Sequence, residues 1–115
     1  MHTIRGTEIV RLLETNDKAI GRALVVLWRN QTNDEQVAMD TKHRNMKGFR
    51  PSDARAGSSM AEFYMKNGYL TPKQIAYWRR PYKKGGIRIA IYWRQLLREA
   101  YRRQREMATA QTQAA

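Results

Sequence analysis

Between Ile89 and Arg105 the sequence repeats at helical spacing on two opposite faces at once. Turning each residue by about 100° gathers Ile89, Trp93, Leu96, Leu97 and Ala100 into one arc roughly 100° wide. The same rotation lines up Arg94, Arg98, Arg102 and Arg105 on the opposite side, within about 80°. Such a pattern fits a helix with one face in an apolar core and the other outside it. Residues 87–93, Ile-Arg-Ile-Ala-Ile-Tyr-Trp, also have the β-branched and aromatic content of a strand. The Arg-Gln-Leu-Leu-Arg-Glu-Ala run that follows favours one long helix from Ile87 to about Met107.

The rest of the chain is punctuated for shorter helices. Thr7 is placed to cap a first helix through about Glu14, with Ile9, Leu12 and Leu13 on one face. Asn16 or Asp17 opens a second one to about Gln31, carrying the stripe Ile20, Leu24, Leu27 and Trp28. Thr32 and Glu35 have capping-box spacing and predict a third short helix. Residues 42–51 break every periodicity and read as a loop anchored by Phe49. Ser52 can cap the next helix, with Asp53 in its first turn, Ala56, Met60, Phe63 and Tyr64 buried, and a stop at Asn67-Gly68. Thr71-Pro72 restarts a short helix that carries Ile75, Ala76 and Trp78 and ends at Pro81. Tyr82-Lys-Lys-Gly-Gly then reads as a basic turn with two glycine hinges. The expected fold is all-α: a compact single domain of five to six short helices over residues 1–108, ending in a long basic C-terminal helix. Residues 109–115, without charge or large apolar groups, are expected to be a flexible tail. A length of 115 residues suits one core.

Twenty-two Lys and Arg stand against ten Asp and Glu, a formal net charge of +12. Residues 1–57 hold ten basic against seven acidic side chains (+3), and residues 58–115 hold twelve against three (+9). So lopsided a balance points to a polyanionic partner, DNA or RNA first. The absence of cysteine excludes disulfides, thiolate zinc sites and cysteine nucleophiles. No apolar run approaches the ~18 residues of a membrane span, and the N-terminus lacks the apolar run of a signal peptide. The expected setting is cytoplasmic, with no membrane partner.

Arginines at i, i+4, i+8 and i+11 repel one another at about 0.2–0.5 kcal/mol per i, i+4 pair, a cost that regularly spaced negative charge would remove. A solvated arginine face is the competing reading. Glu99 and Glu106 are the helix's only acids, and by rotation neither lies in the ridge. Just upstream, Arg79, Arg80, Lys83, Lys84 and Arg88 are interleaved with Trp78, Tyr82 and two glycines. Trp78 reads as core, whereas Tyr82 can stack on a base or lie on the surface. Lys42, His43, Arg44 and Lys47 form a secondary basic loop, a further phosphate patch or simply surface.

Catalysis has little to work with. Asp34, Glu35, Asp40, His43 and Asp53 are the candidates, of which Glu35 reads as a capping-box residue and Asp53 as a first-turn charge. Asp40 and His43 alone fall short of the three ligands a divalent metal wants, and Ser58-Ser59 lack a base in their element. No enzyme activity, metal or cofactor is therefore expected. The leading expectation is nucleic-acid binding through backbone phosphates with low sequence specificity. The alternative is a docking protein that sets its basic helix against an acidic protein or nucleoprotein complex. A helix lying on lipid is disfavoured because the core needs Trp93 and Leu96. Trp28, Tyr64, Tyr69, Trp78, Tyr92 and Tyr101 exceed what one small core comfortably hides, which leaves room for a homodimer face.

Three pieces of the sequence, Asn30–Gln36, Thr41–Ala54 and Leu70–Gln74, carry a resemblance. They are similar to the patterns RQTxDEQ, TxxxNGxGFxxxDA and LTPKQ of a small module found in bacteriophage and plasmid proteins. That module occurs alone or appended to DNA-processing proteins such as helicases. The last pattern is reproduced in full and the first nearly so, while Met46-Lys47 depart from the Asn-Gly turn of the second. The resemblance implies a phage or mobile-element setting and nucleic-acid metabolism, without a mechanism; the cytoplasm would then be the host cell's, and a docking partner a host or phage protein complex.

Overall fold

The computed structural model describes residues 3–38 and 48–114, with side chains described over 3–31 and 48–111. Five α-helices dominate: α1 Gly6–Thr15, α2 Asp17–Ala38, α3 Pro51–Asn67, α4 Pro72–Trp78 and α5 Trp93–Ala114. Between α4 and α5 come a two-stranded hairpin, β1 Pro81–Tyr82 and β2 Gly86–Ile87, and a 3₁₀ turn over Arg88–Tyr92. The all-α reading holds.

Boundaries follow local chemistry with several corrections. α1 starts at Gly6 with Arg5 as its cap residue, two positions before Thr7. α2 runs unbroken through Thr32, so the expected third helix is its last stretch. No glycine or proline interrupts that segment, and continuing a helix is easier than nucleating a new one. α3 begins at Pro51, capped by the backbone of Arg50 and not by Ser52. Proline's fixed φ and missing N–H suit that first position. Gly68, at φ 80°, closes α3, and α4 has a full capping box between Thr71 and Gln74. α5 starts six residues later than Ile87 and continues to Ala114, through most of the stretch expected to fray.

α2 forms the centre of the molecule. Its Ile20, Leu24 and Leu27 are fully buried, packed mainly against α3, with α1 and α5 on another side. At Gly21 the two helices approach so closely that a Cβ would overlap the Tyr64 ring of α3. Trp78, Ile89 and Ala61 are also at 0% exposure, and a single cluster joins them to Phe49, Tyr92 and Leu96. Phe49 is the plug from the loop side: its ring lies 5.9 Å from Trp78 and edge-on to Tyr92 at 6.0 Å. Of the six aromatics in surplus by sequence, Trp78 and Tyr92 are buried and Trp28, Tyr64 and Tyr101 half-buried. Tyr69 alone among them stands 57% exposed.

Candidate nucleic-acid interface

The basic turn is a hairpin. Pro81 pairs with Ile87 and Tyr82 with Gly86, and Lys84 and Gly85 both take positive φ, 57° and 78°. Two successive left-handed residues reverse the chain tightly, which leaves Lys83 and Lys84 exposed at the tip. The Arg88 N–H donates to the Arg80 carbonyl at 3.0 Å and closes the base of the hairpin.

Arg88 corrects the sequence reading. It is 7% exposed, not a surface cation. Its Nε and Nη2 donate to Asp53 Oδ2 at 3.0 and 2.8 Å, and Nη2 also reaches Ser52 Oγ at 3.2 Å. Tyr92 donates its hydroxyl to the same Asp53 oxygen at 2.5 Å and accepts the Arg50 N–H at 3.0 Å. Burial works against the Arg88 charge, but the hydrogen bonds to Asp53 and its negative charge outweigh it and raise the guanidinium's pKa. Burial, reinforced by the bond to Asp53, pushes the Tyr92 phenol well above its usual range. The network ties α3, the hairpin and the 3₁₀ turn together. Asp53 sits in the first turn of α3 as expected, but its carboxylate serves this network at 1% exposure.

Arg79 is also largely committed. Its Nη1 bonds Asp17 at 2.6 Å and its Nε the Leu13 carbonyl at 3.0 Å, pinning the end of α4 to the α1–α2 corner. Its Nη2 is buried without a hydrogen-bond partner among the described residues. Arg80 donates to the Tyr77 carbonyl at 2.6 Å, its guanidinium 4.1 Å from the Tyr77 ring centre. Tyr82 is half-buried, with Arg88 over its ring at 4.7 Å and the Lys83 ammonium at 5.6 Å. The Lys83 charge, aided by Arg88 and opposed by burial, lowers the Tyr82 pKa.

Along α5, Arg94, Arg98, Arg102 and Arg105 are all exposed, while Ile89 and Leu96 face the core, with Trp93, Leu97 and Ala100 packed against it. Arg102 is bracketed: its Nη2 bonds Glu99 at 2.6 Å, and Glu106 meets its other side. Bonding to Glu99 raises the Arg102 pKa, and bonding to Arg102 lowers that of Glu99 against partial burial. Arg103, absent from the sequence reading, bonds the same Glu99 at 3.1 Å. Its i, i+4 spacing from Glu99 was the available signal. Arg94 lies 4.9 Å over the Trp93 ring. Among the described residues Arg94, Arg98, Arg105, Lys83 and Lys84 have no carboxylate partner.

Side-chain amides, which the sequence did not flag, fix the loop against α5. Gln95 accepts the Gly48 N–H at 2.7 Å, donates to the Gly48 carbonyl at 3.0 Å and accepts from Asn30 at 3.1 Å. Gln31 accepts the Phe49 N–H at 3.3 Å. Gly48 takes φ 82°, which favours glycine at this docking point. The secondary basic loop of Lys42, His43, Arg44 and Lys47 lies outside the described residues, as do Asp40 and the side chains of Asp34 and Glu35. Among the described residues no three His, Asp or Glu cluster as metal ligands, and no helix is long and apolar enough to cross a membrane. A groove of about 250 Å³ between α1, α2 and α5 has an apolar floor that includes Leu13, Val26 and Leu96, with Glu99 and Arg103 on its lining.

No family model, curated protein or solved structure matches this chain. The resemblance to phage and plasmid modules rests on its motif residues alone.

Proposed function

We propose that this chain is a nucleic-acid-binding accessory protein of a phage or mobile element, which holds backbone phosphates with low sequence specificity. The observation that carries the reading is the run of unneutralised cations along the hairpin and the helix that follows it. Lys83 and Lys84 form the hairpin tip, and Arg94, Arg98 and Arg105 follow along the exposed face of α5. Five other basic side chains of the region, Arg79, Arg80, Arg88, Arg102 and Arg103, are paired with carboxylates. The five left over face solvent at a cost that a polyanion would offset. Low specificity is supported by what accompanies them: Gln95, the amide beside the ridge, is committed to Gly48 and Asn30 and does not offer a bidentate contact to adenine.

The test is titration of duplex and single-stranded DNA and RNA at several salt concentrations. Five phosphate contacts predict a log–log salt slope of about −4.5 on B-DNA, roughly a 500-fold loss between 50 and 200 mM salt. Changing Arg94, Arg98 and Arg105 together to alanine is expected to flatten that slope by about 2.7. Absence of binding to every nucleic acid at about 50 mM salt refutes the reading. Capture of an acidic protein by nuclease-treated material would then move the assignment to protein docking.

A further inference from the structure

We infer that the ligand of this surface is a duplex, held along its phosphate edge, and not an unpaired strand; this rests on the reading just proposed. Proteins that hold single strands pair a basic groove with open aromatic faces on which successive bases stack. Here three rings close to the free cations are already covered. Arg80 lies over Tyr77 at 4.1 Å, Arg88 over Tyr82 at 4.7 Å and Arg94 over Trp93 at 4.9 Å.

These covers differ in how firmly they are held. Arg88 is fixed by two hydrogen bonds to the buried Asp53, so a base replacing it on Tyr82 would break a buried ion pair. Arg80 is tied to the Tyr77 carbonyl. The Lys83 ammonium is a second cation over Tyr82, at 5.6 Å. The strongly exposed aromatic, Tyr69, lies in the α3–α4 turn, outside the hairpin and α5, edge-on to Phe63. The remaining aromatic of α5, Tyr101, is half-buried with its hydroxyl on the Ile4 carbonyl at 2.6 Å, so among the described residues no ring beside the cations stands as a fully open stacking platform.

The shape of the ridge points the same way. From Arg94 to Arg105 a helix rises about 16 Å, with roughly 6 Å per i, i+4 step. The line is set by the backbone of one uninterrupted helix. A duplex presents one negative charge per about 1.7 Å of axis, twice the density of one strand, along an equally stiff line. A single strand would have to extend against the helix and would gain no stacking in return.

The experiment is fluorescence anisotropy of the whole chain against a labelled mixed-sequence DNA duplex, the matching RNA duplex and each unpaired strand, repeated over a salt series. The expected result is tighter binding to at least one duplex than to either of its strands, by about tenfold near 100 mM salt, with a steeper salt slope. The two duplex arms separate DNA from RNA. Tyr82→Leu, checked for folding by circular dichroism, is expected to leave strand and duplex affinity within twofold. Equal or tighter binding to an unpaired strand overturns the inference while sparing the proposed function, as does a Tyr82→Leu loss confined to single strands. Failure of every one of these ligands to bind overturns both.

Discussion

Replacing Asp53 by asparagine tests what holds the basic surface in place. The carboxylate is 1% exposed and the Arg88 side chain 8%, so neither charge has water to fall back on. Asparagine keeps the shape and one acceptor oxygen, but leaves a guanidinium buried without its counter-charge. Removing one partner of such a pair costs about 3–5 kcal/mol, against a total stability of roughly 5–15 kcal/mol. At about 4 °C per kcal/mol for a chain of this size, Asp53→Asn should lower Tm by roughly 12–20 °C. Thermal melts followed by circular dichroism at neutral pH measure this. Adding Arg88→Met should recover much of the loss, because the uncompensated charge is then gone. The reasoning is refuted by a drop under about 4 °C, or by a double variant no more stable than Asp53→Asn alone.

Three further outcomes are expected. Gly57→Ala would ordinarily strengthen a helix by about 1 kcal/mol, but here the new Cβ overlaps the buried Phe49 ring and overpacking costs about 1–3 kcal/mol. A lower Tm is expected, and a higher one refutes the close packing. Tyr92's raised pKa means that its neutral form is favoured by folding, so its share of stability is complete below the unfolded value near pH 10 and is lost above it. An ultraviolet phenolate titration of the six tyrosines should find Tyr92 ionising only as the fold opens and Tyr82 ionising early; loss of the late step in Tyr92→Phe checks the assignment. Glu99→Gln with Glu106→Gln releases Arg102 and Arg103, and should steepen the salt slope of duplex binding by about 0.9 for each that reaches a phosphate. An unchanged slope would mean that Arg102 does not face the polyanion.

Features written in short-range chemistry were legible. The Ile20, Leu24 and Leu27 stripe is the buried face of α2, Gly68 stops α3, Thr71 and Gln74 form a capping box, and Phe49 anchors its loop. Each depends on residues within a turn or two of one another, or on plain hydrophobicity. The start of α5 was misplaced because residues 87–92 are equally apolar as strand, 3₁₀ turn or α-helix; the closure of the hairpin onto Arg80 decided it.

The division at the surface has the same cause. Composition and periodicity alone determined an all-α chain with a lopsided positive charge and a ridge of arginines opposite an apolar stripe. They treated Arg88 and Arg98 alike, since both are arginines in a basic run. The tertiary structure separated them: Asp53, 35 residues upstream, meets Arg88 in the core, whereas Arg98 has no carboxylate within reach among the described residues. Local periodicity tells which way a side chain faces along its own helix. Which charges are neutralised depends on partners distant in sequence, and only the packing of α3 beside the hairpin brings those together.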